Sequence, residues 1–164
     1  MSRLIAAAIV VVSASAAACG PTVDVARSLK IEGVTTGWQQ AGTVAGKNKV
    51  VPLASFLIKN VSDQKLPSVQ LNAVFHRKGQ QGEWGTAFTS AAGSSGLTPG
   101  GEAEVTLRSQ LGYTGTDPTD ELLTNSQFVD ATVDIFAKYG SRQWARVGEF
   151  PIERALRAPD GLPR

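Results

Sequence analysis

The sequence predicts an all-β protein, an immunoglobulin-like β-sandwich of about seven strands with one short helix near residues 118–124. Apolar residues recur with a period of two, most clearly at 69–75 and 129–137, as they do in strands with one buried and one wet face. The stretches between such runs are rich in Gly, Pro, Asn and Asp, which favour turns. Many short strands separated by turns are typical of sandwiches.

The strand-like segments follow one another along the chain. Residues 50–61 are apolar on both faces in places, so we expect this strand to lie at the centre of a sheet. Residues 42–49 are expected to form a loop or an irregular edge, and 60–65 a turn in which Asn, Ser and Asp side chains bond their own backbone. The predicted strands are 29–38, 50–61, 69–76, 83–89, 102–108, 128–139 and 143–152.

One stretch breaks the alternation and has the features of a helix start. Asp117 is suited to the N-cap and Pro118 to the first helical position. Asp120 and Glu121 then fall in the first turn, where the helix dipole favours acidic side chains. These residues therefore predict the single helix.

The N-terminus has the three parts of a secretory signal. Arg3 is followed by a nine-residue apolar core, Leu4–Val12, and by a region of small residues that ends at Ala18. This core is well short of the ~20 residues that a spanning helix needs. We expect residues 1–18 to be removed, 19–26 to form a lipidated tether, 27–153 to form the sandwich and 154–164 to be a loose tail.

Ala16-Ala17-Ala18-Cys19 resembles the lipobox of bacterial lipoproteins, and Cys19 is the only cysteine of the chain. The resemblance implies that Cys19 receives a diacylglyceryl thioether and becomes the acylated N-terminus. Gly20, in place of Asp, implies sorting to the outer membrane in Gram-negative cells. The lipobox most often has Leu where Ala16 stands, and Ala16-Ala17-Ala18 also satisfies ordinary Ala-x-Ala cleavage, so both kinds of processing are compatible with the sequence.

A second resemblance concerns the domain. Residues 56–63, followed by 67–75, resemble the small Ig-like domains of bacterial surface proteins of the FxLYD type. His76-Arg77 stands where that family has Tyr-Asp. The resemblance implies a sandwich and no active site.

Composition excludes several classes of function. Removing 18 of the 164 residues leaves 146, enough for one domain with its own core. Of 16 basic residues only Arg3 is lost, so 15 face 14 acidic ones and the mature charge is +1. Without a basic run we expect no nucleic-acid partner. With one cysteine in all, the domain has no disulfide of its own.

The titratable residues do not form a recognisable catalytic or metal motif. His76 is the only histidine, and it is expected to be solvated; no G-x-S-x-G elbow accompanies it. Asp130 and Asp134 should stand about 13 Å apart on one strand face, too far for paired carboxylate catalysis. Capping explains Asp117, Asp120 and Glu121 better than calcium does. We therefore expect no enzyme, no cofactor and no metal.

The aromatic residues are the remaining candidates for a binding site, namely Trp84, Trp144, Phe128 and Phe136. Phe128 and Phe136 fall on the polar side of their predicted strand, where an exposed aromatic patch would suit recognition. The alternative is that the helix or the 93–101 loop covers this face. The sequence thus favours a lipid-anchored, non-enzymatic module for an envelope protein partner; a module that binds a glycan or small ligand through Trp84 and Trp144 is the alternative.

Overall fold

A computed structural model describes residues 23–158, which form eight strands and two short helices. The chain order is α1 (Val25–Ser28), β1 (Leu29–Val44), β2 (Lys47–Asn60), β3 (Val69–Arg77), β4 (Gly85–Ala92), β5 (Glu102–Arg108), β6 (Tyr113–Gly115), α2 (Thr119–Thr124), β7 (Ala131–Lys138) and β8 (Ala145–Pro151).

The strands form two antiparallel sheets. The first has the order β1-β2-β5, and the short β6 also pairs with β2; the second has the order β4-β3-β7-β8. This division of strands is that of an immunoglobulin-like sandwich, with β3, β7 and β8 in the places of strands C, F and G and β4 beside C. The predicted fold class is confirmed, and β6 accounts for the strand beyond the expected seven.

The core lies between the sheets and follows the predicted alternation. On β3, Val69, Leu71, Ala73 and Phe75 point inward and are fully buried, while Gln70, Asn72 and Val74 between them are half-buried. β2 lies between β1 and β5, and its residues 50–56 are buried on both faces, as predicted for a central strand. The hydrophobic effect on these alternating rows is the main force that holds the sheets together.

Residues 42–49 do not form a loop; the other alternative, an irregular edge, fits the register shift between Gln40 and Thr43 on the edge strand β1. β1 and β2 instead form a long hairpin with a two-residue turn at Ala45-Gly46. Both turn residues have positive φ, 50° and 75°, which is the geometry that fits the twist of paired strands. Alanine is unusual in that conformation, so the composition of this stretch resembles a loop more than a turn.

The predicted turn after β2 is confirmed and is organised by a buried side chain. Asn60 is fully buried, and its Oδ1 accepts the Ser62 N–H at 3.0 Å. Its Nδ2 donates to the carbonyls of Gln64 at 2.7 Å and Leu97 at 3.0 Å. Because Leu97 belongs to the 93–101 loop, one asparagine fixes two connections.

The helix α2 is confirmed at Thr119–Thr124, but its predicted cap is wrong. Pro118 occupies the N-cap position and makes no side-chain cap, while the Asp117 carboxylate accepts from Asn125 Nδ2 at 3.4 Å. Asp120 and Glu121 lie in the first turn as predicted. Leu122 and Leu123 are buried, so packing holds this short helix in place.

Four aromatic rings close one end of the core. Trp38 of β1 is 0% exposed, and its ring lies 4.7 Å from Phe128, 5.6 Å from Tyr113 and 6.0 Å from Trp84, measured between centroids. We call these four residues the interior aromatic cluster. It draws together β1, β6 and the segments that lead into β4 and β7.

The predicted loose tail is wrong for residues 154–157. The Trp38 N–H donates to Ala155 O at 2.8 Å, and the Arg157 N–H donates to Trp38 O at 2.8 Å. Arg157 passes so close to Gly37 that a Cβ there would lie 2.6 Å from Arg157 Cγ. Arg154 bonds Asp130 and the Phe128 carbonyl. The segment is therefore docked along the free edge of β1.

The start of the domain is also more ordered than predicted. Residues 25–28 form α1, whose Val25 and Ser28 are buried, so the last two residues of the expected 19–26 tether are helical. The Tyr139 hydroxyl donates to Val23 O at 2.9 Å, which holds the N-terminus beside the β7–β8 turn. The predicted signal, Cys19 and residues 159–164 lie outside the described residues. Within 23–158, no helix is long and apolar enough to cross a membrane.

Replacing Trp38 with Ala should destabilise the domain by about 3–5 kcal/mol, because the change removes the largest fully buried side chain. Trp144→Ala is the matched control and should cost about 1 kcal/mol or less, since this side chain is 40% exposed. Urea unfolding followed by circular dichroism measures both. Equal losses for the two variants would contradict the assignment of Trp38 to the core.

The contact between Asp130 and Arg154 should make stability depend on pH. Hydrogen bonding from Arg154 lowers the pKa of Asp130 below its usual 3.8. The ionised carboxylate thus stabilises the fold above about 3.8, and this contribution disappears as pH falls through the lower folded-state pKa.

Asp130→Asn should therefore lower the free energy of unfolding at neutral pH by at most about 1 kcal/mol, because the pair is partly exposed. The difference from wild type should vanish in acid. Asp63→Asn, at an exposed carboxylate of the turn after β2, is the control for losing one acid. If wild type exceeded Asp130→Asn in free energy of unfolding by the same amount at every pH, the carboxylate charge would make no contribution to stability.

Candidate functional site

The outer face of the second sheet has the features of a binding surface. Side chains alternate between the two faces of β3 and β7. Leu71 and Ile135 point into the core, so Asn72 and Phe136 point outward. Asn72 lies directly opposite Phe88 on one side and Phe136 on the other. Directly opposed residues share a face, so one row runs across three strands on this surface.

Three aromatic residues and one lysine form what we call the aromatic patch: Phe88, Phe136, Lys138 and Trp144. Phe88 is 62% exposed and Trp144 is 40% exposed. Their ring centroids lie 6.2 Å apart at 81°, an edge-to-face contact. The Lys138 ammonium lies 4.8 Å from the Trp144 ring, a cation–π distance. Phe136 is half-buried and lies in the same row of the sheet.

The Phe88–Trp144 contact spans the sheet. Phe88 belongs to the edge strand β4, whereas Trp144 immediately precedes β8, the opposite edge strand. Their rings can meet only over the two middle strands, β3 and β7. The Trp144 ring is therefore folded back over the sheet, where Lys138 helps to hold it.

Charged residues occupy the other half of this face. The Asp134 carboxylate accepts from Arg146 Nε at 2.8 Å, and Arg146 also bonds Glu149 at 2.6 Å. Hydrogen bonds to Asp134 and then to Glu149 raise the pKa of Arg146 above its usual value. His76 Nε2 lies 3.3 Å from Asp134, and His76 Nδ1 lies 3.0 Å from the Gly82 carbonyl. We call these four residues the ionic cluster.

The structure brings His76 and Asp134 together but places Asp130 elsewhere. Asp130 precedes β7 and pairs with Arg154. His76 and Asp134 belong to an ion-pair network on a partly open surface. Within residues 23–158 no group of three or more His, Cys, Asp or Glu residues could hold a metal ion.

Two of the four predicted aromatic site residues face inward instead. Phe128 is only 7% exposed and belongs to the interior aromatic cluster. Its predicted place on the strand is wrong because β7 begins only at Ala131. Trp84 is half-buried against Trp38, and the Arg77 guanidinium lies 4.4 Å from its ring. Trp84 and Trp144 thus do not form one platform.

Phe88 was not among the predicted site residues, although it is the most exposed large hydrophobic side chain of residues 23–158. The sequence carries a signal for it. Thr86, Phe88 and Ser90 are alternate residues and therefore lie on one face of the strand. Thr86 and Ser90 are polar, which indicates that this face, with Phe88, is exposed to solvent. Its partner Trp144 lies 56 positions away in the sequence, so their contact depends on the fold.

A groove of about 660 Å³ runs beside the patch, between the edge strands β4 and β5. Residues 83–89 form one wall, and residues 106–108, 110 and 111 form the other. Its large apolar lining residues are Trp84, Phe88, Leu107 and Leu111. The aromatic patch therefore continues over the edge of the sheet into this groove.

Comparison with known proteins gives little further information. No protein-family model and no curated protein matches the chain. Among solved structures, the solution structure of AT1g01470 from Arabidopsis thaliana aligns with a TM-score of 0.42 and 16% identity, covering 82% of this chain and 85% of that one. The resemblance to FxLYD-type domains stays a prediction.

Proposed function

We propose that the protein is a lipid-anchored envelope protein, and that it works as a non-enzymatic module that binds a protein partner through the aromatic patch. The contact between Phe88 and Trp144 is the observation that carries the proposal. Two large aromatic side chains from opposite edges of one sheet meet in solvent, at 62% and 40% exposure. Exposed apolar area of this kind marks interaction surfaces.

The composition of the face suits a protein partner. Aromatic residues provide most of the energy in protein interfaces, and charged residues around them determine orientation and association rate. Here the aromatic patch lies next to the ionic cluster, in which Arg146 is bound by two carboxylates. An ordered rim beside an apolar centre is the usual arrangement of such an interface.

The glycan alternative is weaker on this geometry. It relied on Trp84 and Trp144 together, but Trp84 packs inward against Trp38 and Tyr113. Trp84 lines the groove rather than the aromatic patch, so the two tryptophans cannot stack together on one sugar ring. Titration of the protein with envelope glycans, followed by tryptophan fluorescence, distinguishes the two functions.

The anchor that we propose also restricts the kind of partner. Cys19 lies four positions before Val23, so an extended chain puts at most about 14 Å between the acylated residue and the domain. Val23 is bonded to Tyr139, in the turn that leads to Trp144. The aromatic patch is then held near the bilayer, and we infer that the partner is a membrane protein or one bound at the membrane.

Changing Cys19 to Ser should convert a membrane-held protein into a soluble one, or leave it uncleaved by the lipoprotein peptidase. The thioether needs the thiol, and a hydroxyl does not replace it in that chemistry. Because position 19 precedes every strand, the folded domain should be unchanged. Fractionation with a fatty-acid label on both forms is the measurement. A wild-type protein without label in the soluble fraction would mean ordinary cleavage after Ala18.

Changing Trp144 to Ala should reduce recovery of the partner from detergent-solubilised membranes by about tenfold or more, since an interfacial aromatic anchor contributes about 2 kcal/mol. Leu57→Ala removes an exposed apolar side chain, 37% exposed, from the other sheet and should leave recovery unchanged. Mass spectrometry identifies the partner. Equal recovery with both variants, or a protein that is always recovered alone, would refute the proposed interface.

A further inference from the structure

The sandwich has free sheet edges, and most of them are protected against pairing with another chain. An unprotected edge presents a row of backbone N–H and C=O groups that can bind a further strand. On β1, both backbone groups of Trp38 are already bonded to residues 155 and 157. β1 is also interrupted by two register shifts in its pairing with β2.

Charges, a register shift and proline protect the other edges. β5 presents Glu102, Glu104 and Arg108 to solvent, and β6 is only three residues long. β8 carries Arg146 and Glu149, ends at Pro151 and has a register shift in its pairing with β7. Each of these features disfavours pairing with a new strand.

The edge strand β4 has none of this protection over most of its length. Its sequence, Gly85–Ala92, contains no charged residue and no proline. Its pairing with β3 is regular from Gly85 to Ser90, and the one register shift falls at Ala91. In the middle of this regular stretch stands Phe88, 62% exposed.

We propose that β4 pairs antiparallel with β4 of a second copy of this chain, with the two-fold axis near Phe88. This inference goes beyond the proposed function and does not rest on it. Self-pairing about this axis places Thr86 opposite Ser90 of the second copy, and Ala87 opposite Thr89. All these side chains are small and neutral, and the two Phe88 rings form a cross-strand aromatic pair.

Charge complementarity supports a second copy as the occupant of this edge. Residues 85–89 of β4 and 106–108 of β5 line opposite walls of the same groove, so β5 of the first sheet faces β4 across it. The two-fold axis that makes the two β4 strands antiparallel also makes the two β5 strands run in opposite directions. Glu102 is already paired with Lys59, and Glu104 of one β5 is then directed toward Arg108 of the second copy. Opposite charges thus flank the neutral strands, and the two outer faces join into one eight-stranded surface with both aromatic patches on it.

A charge-exchange experiment tests the pairing with the whole chain as the cell processes it. Phe88→Lys and Phe88→Glu each place like charges opposite each other, so each variant alone should sediment as a monomer where wild type is a dimer. An equimolar mixture of the two should restore the dimer, because lysine then faces glutamate. Val44→Lys, at a position 51% exposed on β1, is the matched control and should stay dimeric.

Disulfide formation tests the register. Directly opposed strand residues have Cα atoms about 4.5–5.5 Å apart, within reach of a disulfide. Phe88→Cys should therefore cross-link by itself. Thr86→Cys alone and Ser90→Cys alone should not cross-link, because the two copies of the same residue are then four positions apart along the strands, about 13 Å. The double variant should cross-link, because position 86 of one copy faces position 90 of the other. Wild type shows whether Cys19 contributes.

The outcomes decide the proposal. A monomeric wild type at all concentrations, a mixture of the charge variants that stays monomeric, or cross-linking of Thr86→Cys alone would each overturn it. Loss of the membrane partner in the Phe88 variants while the mixture still dimerises would concern the proposed function only.

Discussion

The burial of Trp38 is the constraint on which most of the remaining structure depends. Its ring is fully enclosed and contacts Trp84, Tyr113 and Phe128, each from a different part of the chain. Its backbone bonds residues 155 and 157. One residue of β1 therefore connects the core, two loops and the C-terminal segment. Because the core, the two loops and the C-terminal segment all contact Trp38, they should become ordered together.

The period-two pattern made much of the fold predictable, while long-range contacts made parts of it unpredictable. Alternation on residues 69–75 is enforced by burial of one face, so it is visible in the sequence alone. The docking of residues 154–157 depends instead on Arg154 and Arg157, which donate hydrogen bonds to carbonyls and a carboxylate more than 20 positions away in the sequence. The nearby Pro and Gly residues are typical of a loose tail, so the composition did not indicate this docking.

The candidate site shows the same division. The position of Phe136 on the outer face was predictable because it fell on the polar row of its predicted strand. Phe128 was placed on such a row by extending the strand too far, whereas its N–H in fact closes a turn on Asn125 O. A strand boundary error of three residues thus moved one ring from core to surface. Boundaries are the weakest part of any pattern argument, and a site built from strand faces inherits that weakness.

The location of the unprotected apolar area gives the two proposed interfaces a common physical basis. The first sheet offers only Leu57 as a large exposed apolar side chain of its central strand, and Lys59 and Glu102 form an ion pair beside it. The second sheet leaves Phe88 and Trp144 in solvent, and its β4 edge is free of charge. Exposed apolar rings and a neutral edge both favour association, so a selection for solubility alone would remove them. The exposed rings of Phe88 and Trp144 and the uncharged edge of β4 all belong to the second sheet, so both proposed interfaces lie on one sheet.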